Sequence, residues 1–468
     1  MATTRTSNTF HGLLAATAMG VYVLLLVGAT TALTDATAAC AAWPACGDGF
    51  SLPATMDGWV AFGHRIAAVL VGLLALVTLV AAWRSDASRR VKATVTASAA
   101  LYPAQAGVGA VVATVGASEL LSTLHLLVGM AIFGGLLVAL AWTLEEVTGD
   151  PTDRPVETPS MAPPADTGER PPIPTDPIER AKATMWAYFQ LMKPRLMWLL
   201  CLVASAAMTL AGTVSPGLTP QVIAATLGGG VLSIGASGTF NHVLERDIDR
   251  RMQRTSDRPL AVDLVPVRNA IAFGLLLALA SVALFASVNW LAAVLGVVAI
   301  AFYSVVYTLI LKPNTVQNTV IGGAAGALPA LIGWVAVTGD IGLGGVILAV
   351  VIFLWTPAHF YNLALAYKDD YARGGFPMMP VVRGETETRK HILWWLAATL
   401  VAAAGLAVMD ALGVVYLLTS VVFGGAFLYF VVRLHYERDD TAAFRAFHAS
   451  NAYLGMLLLA IVVDTLAI

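Results

Sequence analysis

Ile271-Ala-Phe-Gly-Leu-Leu-Leu-Ala-Leu-Ala-Ser-Val-Ala-Leu-Phe-Ala-Ser-Val-Asn-Trp290 is the stretch on which the fold turns. It lies inside an apolar reach that breaks only near residue 288 and resumes to about residue 310. Each half is long enough for a helix to cross hydrocarbon about 30 Å thick, which takes roughly 20 residues. Lipid offers no partner to a free amide or carbonyl, and the runs are too long and too uniform for barrel strands, so both halves read as helices. Runs of the same kind lie near 12–33, 58–83, 93–116, 120–143, 196–213 and 220–240 before it, and near 318–338, 342–364, 391–409, 411–432 and 449–467 after it. With 266–287 and 289–310 they predict an all-α polytopic membrane protein of about 13 spans. Composition agrees: 468 residues that are 58% hydrophobic and 12% charged, with a mean hydropathy of +0.77, exclude a water-soluble chain. A formal charge of −2 and the lack of any Lys/Arg cluster with interleaved aromatics exclude nucleic acid as a partner.

Basic residues set the expected orientation. Loop 84–92 carries Arg84, Arg89, Arg90 and Lys92; loop 241–265 carries Arg246, Arg250, Arg251, Arg254 and Arg258; loop 365–390 carries Lys368, Arg373, Arg383, Arg389 and Lys390. The segments 34–57, 214–219 and 339–341, and the breaks near 288 and 410, carry none. This alternation predicts a cytoplasmic N-terminus and an external C-terminus in a cell membrane. A signal peptide cleaved near Ala36–Ala39 is the alternative for the first span. From Gly149 to Arg180 the composition breaks, with nine prolines, several acids and no apolar run. That stretch predicts a disordered or polyproline-like cytoplasmic tether at 149–180 between a four-helix unit, 1–148, and a nine-helix unit, 181–468.

The densest chemistry is in the second unit. Asn241, Glu245 and Asp249 are spaced i, i+4, i+8, so on a helix they share one face over two turns. Oxygen ligands in such a ladder at a membrane edge suit Mg²⁺, which keeps waters and binds through a few carboxylates plus substrate phosphates. Arg254 and Arg258 repeat the spacing just beyond, as phosphate-binding forks would. The plainer alternative is a solvated loop that merely obeys the charge rule. A second group follows the tenth span: His359 and Asn362 on one helical face, then Asp369 and Asp370, facing the same side. Tyr303, Tyr307 and Lys312 form a third, ahead of Gly322-Gly323 and Gly326, which read as close helix packing. Ionising an allylic diphosphate requires charge neutralisation on the leaving group, which Mg²⁺ on the two acidic sets and the cations Lys193, Arg254, Arg258 and Lys312 would supply. Faces of Tyr303, Tyr307, Phe360 or Tyr361 would stabilise the allylic cation, by up to about 2 kcal/mol each when desolvated, unless these rings are only an interface belt.

Residues 185–468 resemble the intramembrane prenyltransferases of the UbiA type, in the branch that acts on protohaem IX. The resemblance rests on Leu191-Met-Lys193-Pro194-Arg195, Asn241…Glu245-Arg-Asp-Ile-Asp249, Arg254-Thr255…Arg258-Pro259, Gln317-Asn318…Gly322-Gly323…Gly326-Ala-Leu-Pro329 and Trp355-Thr356-Pro357…His359-Phe360. It implies attack by a haem vinyl group on farnesyl diphosphate to give the hydroxyethylfarnesyl side chain of haem O. His359 and Asn362 stand where the wider family carries aspartates, so the second acidic set reduces to Asp369 and Asp370.

In the first unit only His64 and His125 lie inside spans. Both are predicted at a similar depth below the outer face, where they suit two axial ligands of one haem, with Arg65 beside a propionate. Cys40 and Cys46, in the outer loop, are close enough to pair in a compartment that permits disulfides; Cys201 reads as inert. Residues 1–148 resemble one four-helix half of haem A synthase, through the Cys and Trp43-Pro44 loop, His64-Arg65, Gln105-Ala-Gly107 and His125. Ala61 stands where that family carries a glutamate ahead of the His-Arg pair, so oxidation of haem O and simple haem binding both stay open. A haem A synthase or a second copy of the chain is the expected protein partner. The other functional readings are prenylation of a quinone precursor and a haem transporter or chaperone.

Overall fold

The structure, a computed structural model, describes residues 2–33, 38–40, 42–46, 52–116, 118–151, 153, 176–409 and 411–467. Most of the expected tether at 149–180, and part of the cleavage region at Ala36–Ala39, lie outside these residues. The described elements are helices: α1 (Ala2–Leu33), α2 (Met56–Arg84), α3 (Arg89–Val115), α4 (Glu119–Thr148), α5 (Pro177–Leu191), α6 (Pro194–Gly212), α7 (Pro220–Leu244), α8 (Arg246–Asp249) and α9 (Val267–Val288). α10 (Trp290–Ala301) runs on through a wider π-type stretch, Phe302–Leu311, into α11 (Lys312–Asn314). Then come α12 (Asn318–Thr338), α13 (Leu343–Ala366), α14 (Lys368–Arg373), α15 (Met379–Val382), α16 (Glu385–Leu406), α17 (Val414–Glu437) and α18 (Asp440–Leu466).

Among the described residues twelve helices are long and apolar enough to cross a membrane, the α10-to-α11 run counting as one. The eleventh expected span, 391–409, falls in α16, which is not one of the twelve. Glu385, Glu387, Arg389 and Lys390 crowd its first turns and shorten its apolar length. Several starts are fixed by hydroxyl or carboxyl caps, as short polar side chains at the N-cap satisfy otherwise free amides. Thr55 accepts from the Gly58 amide, Thr219 from Val222 and Asp439 from Ala442.

Contacts gather the chain into two compact units, Met1–Asp150 with Arg389–Glu437, and Pro151–Thr388 with Arg438–Ile468. Thus Arg389–Glu437, although late in the sequence, groups with the first helices. Inside the first unit α1 packs on α2, α2 on α3, α3 on α4 and α4 on α1, a ring that sets α2 and α4 on one diagonal. Tyr22 stacks on Phe133, and its hydroxyl meets Ser420 Oγ at 2.6 Å. Thr17 and Thr78 join α1 to α2 at 2.7 Å, and Lys390 Nζ donates to Glu145 Oε1 at 2.7 Å. Inside the second unit α7 packs on α9, α12 on α6 and α13, and α13 on α18. Glycines make the closest approaches possible: a Cβ on Gly323 would stand 3.1 Å from Thr356 Cβ and 3.2 Å from the Phe353 carbonyl oxygen. The expected packing role of Gly322-Gly323 agrees with this close approach, since a side chain at Gly323 would require its neighbours to shift by a few tenths of an ångström.

Candidate functional site

In the second unit the acidic ladder is continuous although the helix breaks. α7 ends at Leu244, but the Glu245 amide donates to the Asn241 carbonyl at 2.9 Å and the Asp249 amide to the Glu245 carbonyl at 2.8 Å. The i, i+4, i+8 face survives through α8, and all three residues are buried, at 2, 4 and 2% exposure. Each then finds a partner far away in sequence. Lys193 Nζ donates to Asn241 Oδ1 and, at 3.2 Å, to the Tyr303 hydroxyl. Asn241 Nδ2 donates to Thr308 Oγ1 at 3.1 Å. Lys312 Nζ donates to Glu245 Oε1 at 2.5 Å and stands 4.3 Å from the centre of the Phe376 ring. Arg258 Nη1 lies 2.8 and 2.9 Å from the two oxygens of Asp249. Three partly buried cations and two buried carboxylates therefore cluster at the end of α7. Burial drives the Lys193 ammonium down to about 7, with the Arg258 charge adding to it. Burial also pushes the Glu245 carboxyl up, but Lys312 and Lys193 outweigh it and hold Glu245 below its ordinary value. For Asp249 burial wins over Arg258, and its carboxyl stands above its ordinary value.

The second acidic set is not joined to the first as ligands. Asp370 is buried, and its oxygens accept the Gln253 amide at 2.7 Å, the Arg254 amide at 3.2 Å and Arg373 Nη2 at 2.9 Å. Asp369 is exposed. Among the described residues no three acidic, histidine or cysteine groups stand within reach of one ion. Asp370 thus holds the 253–254 loop, and this brings Arg254 over the rings of Tyr367 and Tyr371 at 4.5 and 5.1 Å. Arg254 and Arg258 do not form the helical ladder their spacing suggested; the chain turns between them, and they face different partners. Arg246 and Arg250 both bind Asp263, at 2.7 and 2.9 Å.

Tyr303 and Tyr307 lie on the π-type stretch with ring centres 5.5 Å apart, and a Cβ on Gly322 would run into the Tyr307 ring. Tyr303 lies beside Lys193, whose Nζ is 5.6 Å from its ring centre, and Thr308 Oγ1 reaches back to the Tyr303 carbonyl at 2.8 Å within the wider turn. His359 is sandwiched between Trp355 and Phe447, 4.2 and 4.3 Å between ring centres, and its Nδ1 meets Ser450 Oγ at 2.7 Å. Asn362 Nδ2 is used on the Ala358 carbonyl at 2.6 Å, while its Oδ1 is buried without a partner. Thr308, Phe376, Tyr371 and Ser450 were not singled out from the sequence, and no spacing signal marks them.

In the first unit His64 sits on α2 and His125 on α4, across the ring's diagonal. Counted from the helix starts at Met56 and Glu119, with a rise of about 1.5 Å per residue, they lie about 12 and 9 Å in from the same end. Glycines of the other two helices meet them. A Cβ on Gly28 would stand 3.4 Å from His64 Cε1, and one on Gly109 would stand 3.0 Å from His125 Cε1. Both Nδ1 atoms are buried without a hydrogen-bond partner, as orphaned polar atoms that a bound group would complete. Arg65 departs from expectation. Its guanidinium donates to the carbonyls of Cys40, Ala42 and Ala45 at 2.5, 2.5 and 3.0 Å, so it clasps the outer loop and is not held open for a propionate. Cys40 and Cys46 are paired as a disulfide in that loop, and Cys40 packs on Ala61. Isolated without reductant, neither cysteine should react with a thiol reagent; labelling of both before reduction would count against the pairing in solution.

Comparison with known proteins divides the chain in sequence order, and the second match runs on through Arg389–Glu437. Residues 197–457 match the UbiA prenyltransferase family, and residues 11–163 match the cytochrome oxidase assembly protein family. The chain is 68% identical over 465 residues to protoheme IX farnesyltransferase of Haloquadratum walsbyi, covering 98% of this chain and 97% of the relative. It is 63% identical to the protein of that name from Haloarcula marismortui, covering 99% of each. Protoheme IX farnesyltransferase 1 of Saccharopolyspora erythraea is 42% identical over 308 residues, which cover 65% of this chain but 96% of the relative. Among solved structures, that of a digeranylgeranylglyceryl phosphate synthase superposes with a TM-score of 0.50 at 17% identity, over 61% of this chain and all of the other, a likeness of fold alone.

Proposed function

We infer, since the chain belongs to the UbiA prenyltransferase family and carries a haem A synthase-like unit ahead of that match, that it farnesylates protohaem IX to make haem O. The carrying observation is the charged cluster at the end of α7, where Glu245 and Asp249 are held by Lys312 and Arg258 beside Lys193. A diphosphate entering there meets three cations. The residues fit Mg²⁺, which needs only one or two carboxylates when it also holds phosphate oxygens; Glu245, Asp249 and the Asn241 amide oxygen would hold it. When bound it supplies neutralisation of the leaving diphosphate. The terminal vinyl carbon bonds to the allylic carbon as the diphosphate leaves, and the ring-side carbon then takes oxygen from water, which loses a proton. Tyr303 and Tyr307 present ring faces where positive charge develops. Lys193 and Lys312 orient phosphate oxygens, Asp370 fixes the loop that carries Arg254, and His359 with its ring sandwich shapes the haem side. Asp369, at the surface, is proposed only as an outer charge near the entrance. The site lies on the cytoplasmic side by the distribution of Lys and Arg.

The test is direct. Membranes carrying the chain should consume farnesyl diphosphate in a Mg²⁺-dependent way, and mass spectrometry of haems from the host should find haem O. Consumption with a quinone precursor but not with protohaem would sink the haem assignment, and no consumption at all would favour transport. Arg258→Ala should raise the KM for farnesyl diphosphate by roughly 10- to 100-fold, because a charge-assisted hydrogen bond contributes about 1.5–3 kcal/mol. An unchanged KM would remove Arg258 from the diphosphate site.

For the first unit we infer haem held between His64 and His125. The paired glycines and orphaned Nδ1 atoms support this reading. Ala61, packed under the disulfide loop, leaves no acidic group at that position, so binding or handing over haem is the reading favoured over oxidation.

A further inference from the structure

α5 presents three different faces. Ala187 and Leu191 are buried against Leu260, Val265 and Ala270. Glu179 and Gln190 are exposed on a polar edge that flanks Trp186. Ile178, Met185, Trp186 and Phe189, spaced i, i+7, i+8 and i+11, form a third stripe and are exposed at 67, 68, 59 and 46%. Four large apolar side chains on one face of a 15-residue helix are not a face for water.

The chain around α5 says what covers that stripe. α5 ends two residues before Lys193, and the spanning helix α6 begins at Pro194. Its buried face packs at the start of the spanning helix α9, so both neighbours put α5 at one membrane edge. Leu196 and Trp198 in the first turns of α6 are exposed at 42 and 56%, and they carry the apolar surface on from α5. Trp at this level is the usual marker of the headgroup boundary. Lys182 on α5 and Arg195 in the first turn of α6 are exposed. Lys182 lies within the stripe, where a lysine stem can rest on apolar groups while the ammonium reaches a headgroup phosphate.

The far end of α5 is tied to the site. Lys193 adopts left-handed backbone, with φ of 55°, which a side-chain-bearing residue keeps only when its surroundings enforce it. A Cβ on Gly238 of α7 would stand 2.8 Å from the Leu191 carbonyl oxygen and 3.1 Å from Lys193 Cγ, so α5 ends wedged against α7. We propose that α5 lies in the bilayer interface, its stripe Ile178, Met185, Trp186 and Phe189 among the lipids, as a strut that fixes the direction of Lys193. The strut's effect on catalysis rests on the prenyl-transfer reading; the lipid seat does not.

The test uses the full chain with Cys201→Ala, reconstituted in bilayers containing anionic lipid, and with a nitroxide label on Met185→Cys or Gln190→Cys. The label at 185 should relax faster with oxygen than with a water-soluble nickel chelate, and the label at 190 should do the reverse. A label at 185 as open to the chelate as that at 190, or closed to both agents as under a protein partner or second copy, would overturn the lipid seat. Adding Trp186→Glu with Phe189→Glu should expose position 185 to the chelate and raise the KM for farnesyl diphosphate about tenfold, with kcat within about twofold. Trp186→Ala with Phe189→Ala should move both readings the same way by less, and serves if the charged pair fails to insert. A shift in accessibility with unchanged KM would overturn the strut. Absence of farnesyl diphosphate consumption by the unsubstituted chain would instead sink the prenyl-transfer reading and leave the lipid seat to the label.

Discussion

Glu245→Gln and Asp249→Asn should each lower haem O formation by on the order of 10²–10³-fold, the loss typical when a group that stabilises transition-state charge is removed. Both carboxylates are nearly inaccessible, at 5 and 3% side-chain exposure, and each already has a cation partner. Removing one charge therefore also strands a partly buried cation, 14% exposed for Lys312 and 26% for Arg258, a change that costs less than the about 3–5 kcal/mol of a fully buried pair. Activity alone would not separate a lost ligand from a lost ion pair. The double substitution Glu245→Gln with Lys312→Met does, because it removes the pair and its stranded charge together. If the pair is only structural, the double variant should regain activity; if the pair serves the diphosphate, Glu245 through the metal and Lys312 through a phosphate oxygen, the double variant should stay inactive although inserted and folded. Full activity in either single variant would end the case for the pocket.

His64→Ala and His125→Ala should each abolish a six-coordinate, histidine-ligated haem spectrum while leaving farnesyl transfer within about twofold of the unsubstituted chain. The two sets of groups belong to different compact units, and removing an axial ligand touches none of Lys193, Asn241, Glu245 or Asp249. A spectrum retained by either variant would exclude that histidine as a ligand. Loss of haem O together with the spectrum would mean that the first unit delivers the substrate, and the proposed independence would be wrong.

Much of the site was legible because its spacing is local. Asn241, Glu245 and Asp249 share a face by helical period, and the backbone bonds from 249 to 245 and from 245 to 241 keep that period across the break after α7. His64 and His125 could be levelled by counting residues from span ends. The partners could not be read in this way. Lys312 reaches Glu245 across 67 positions, Asp370 reaches the 253–254 amides across more than a hundred, and His359 meets Ser450 across 91. Arg65 was expected at a propionate because a cation beside a haem ligand suits one. The carbonyls of the disulfide loop compete for the same donors, and that loop's position over α2 is not encoded by any period.

The amino-acid sequence by itself determined a helical membrane protein, since length and uniform apolarity leave lipid-buried backbone no other way to satisfy its hydrogen bonds. It also determined the order of the two matched regions and the residue types available at each membrane edge. Tertiary structure alone decided that Arg389–Glu437 groups with the first helices, that Asp370 is a loop anchor and that Glu245 and Asp249 are each matched to one cation. These depend on which helices become neighbours. In lipid, apolar faces are nearly interchangeable, so close packing of small residues and a few buried polar pairs make that choice, and neither leaves a periodic mark along the chain.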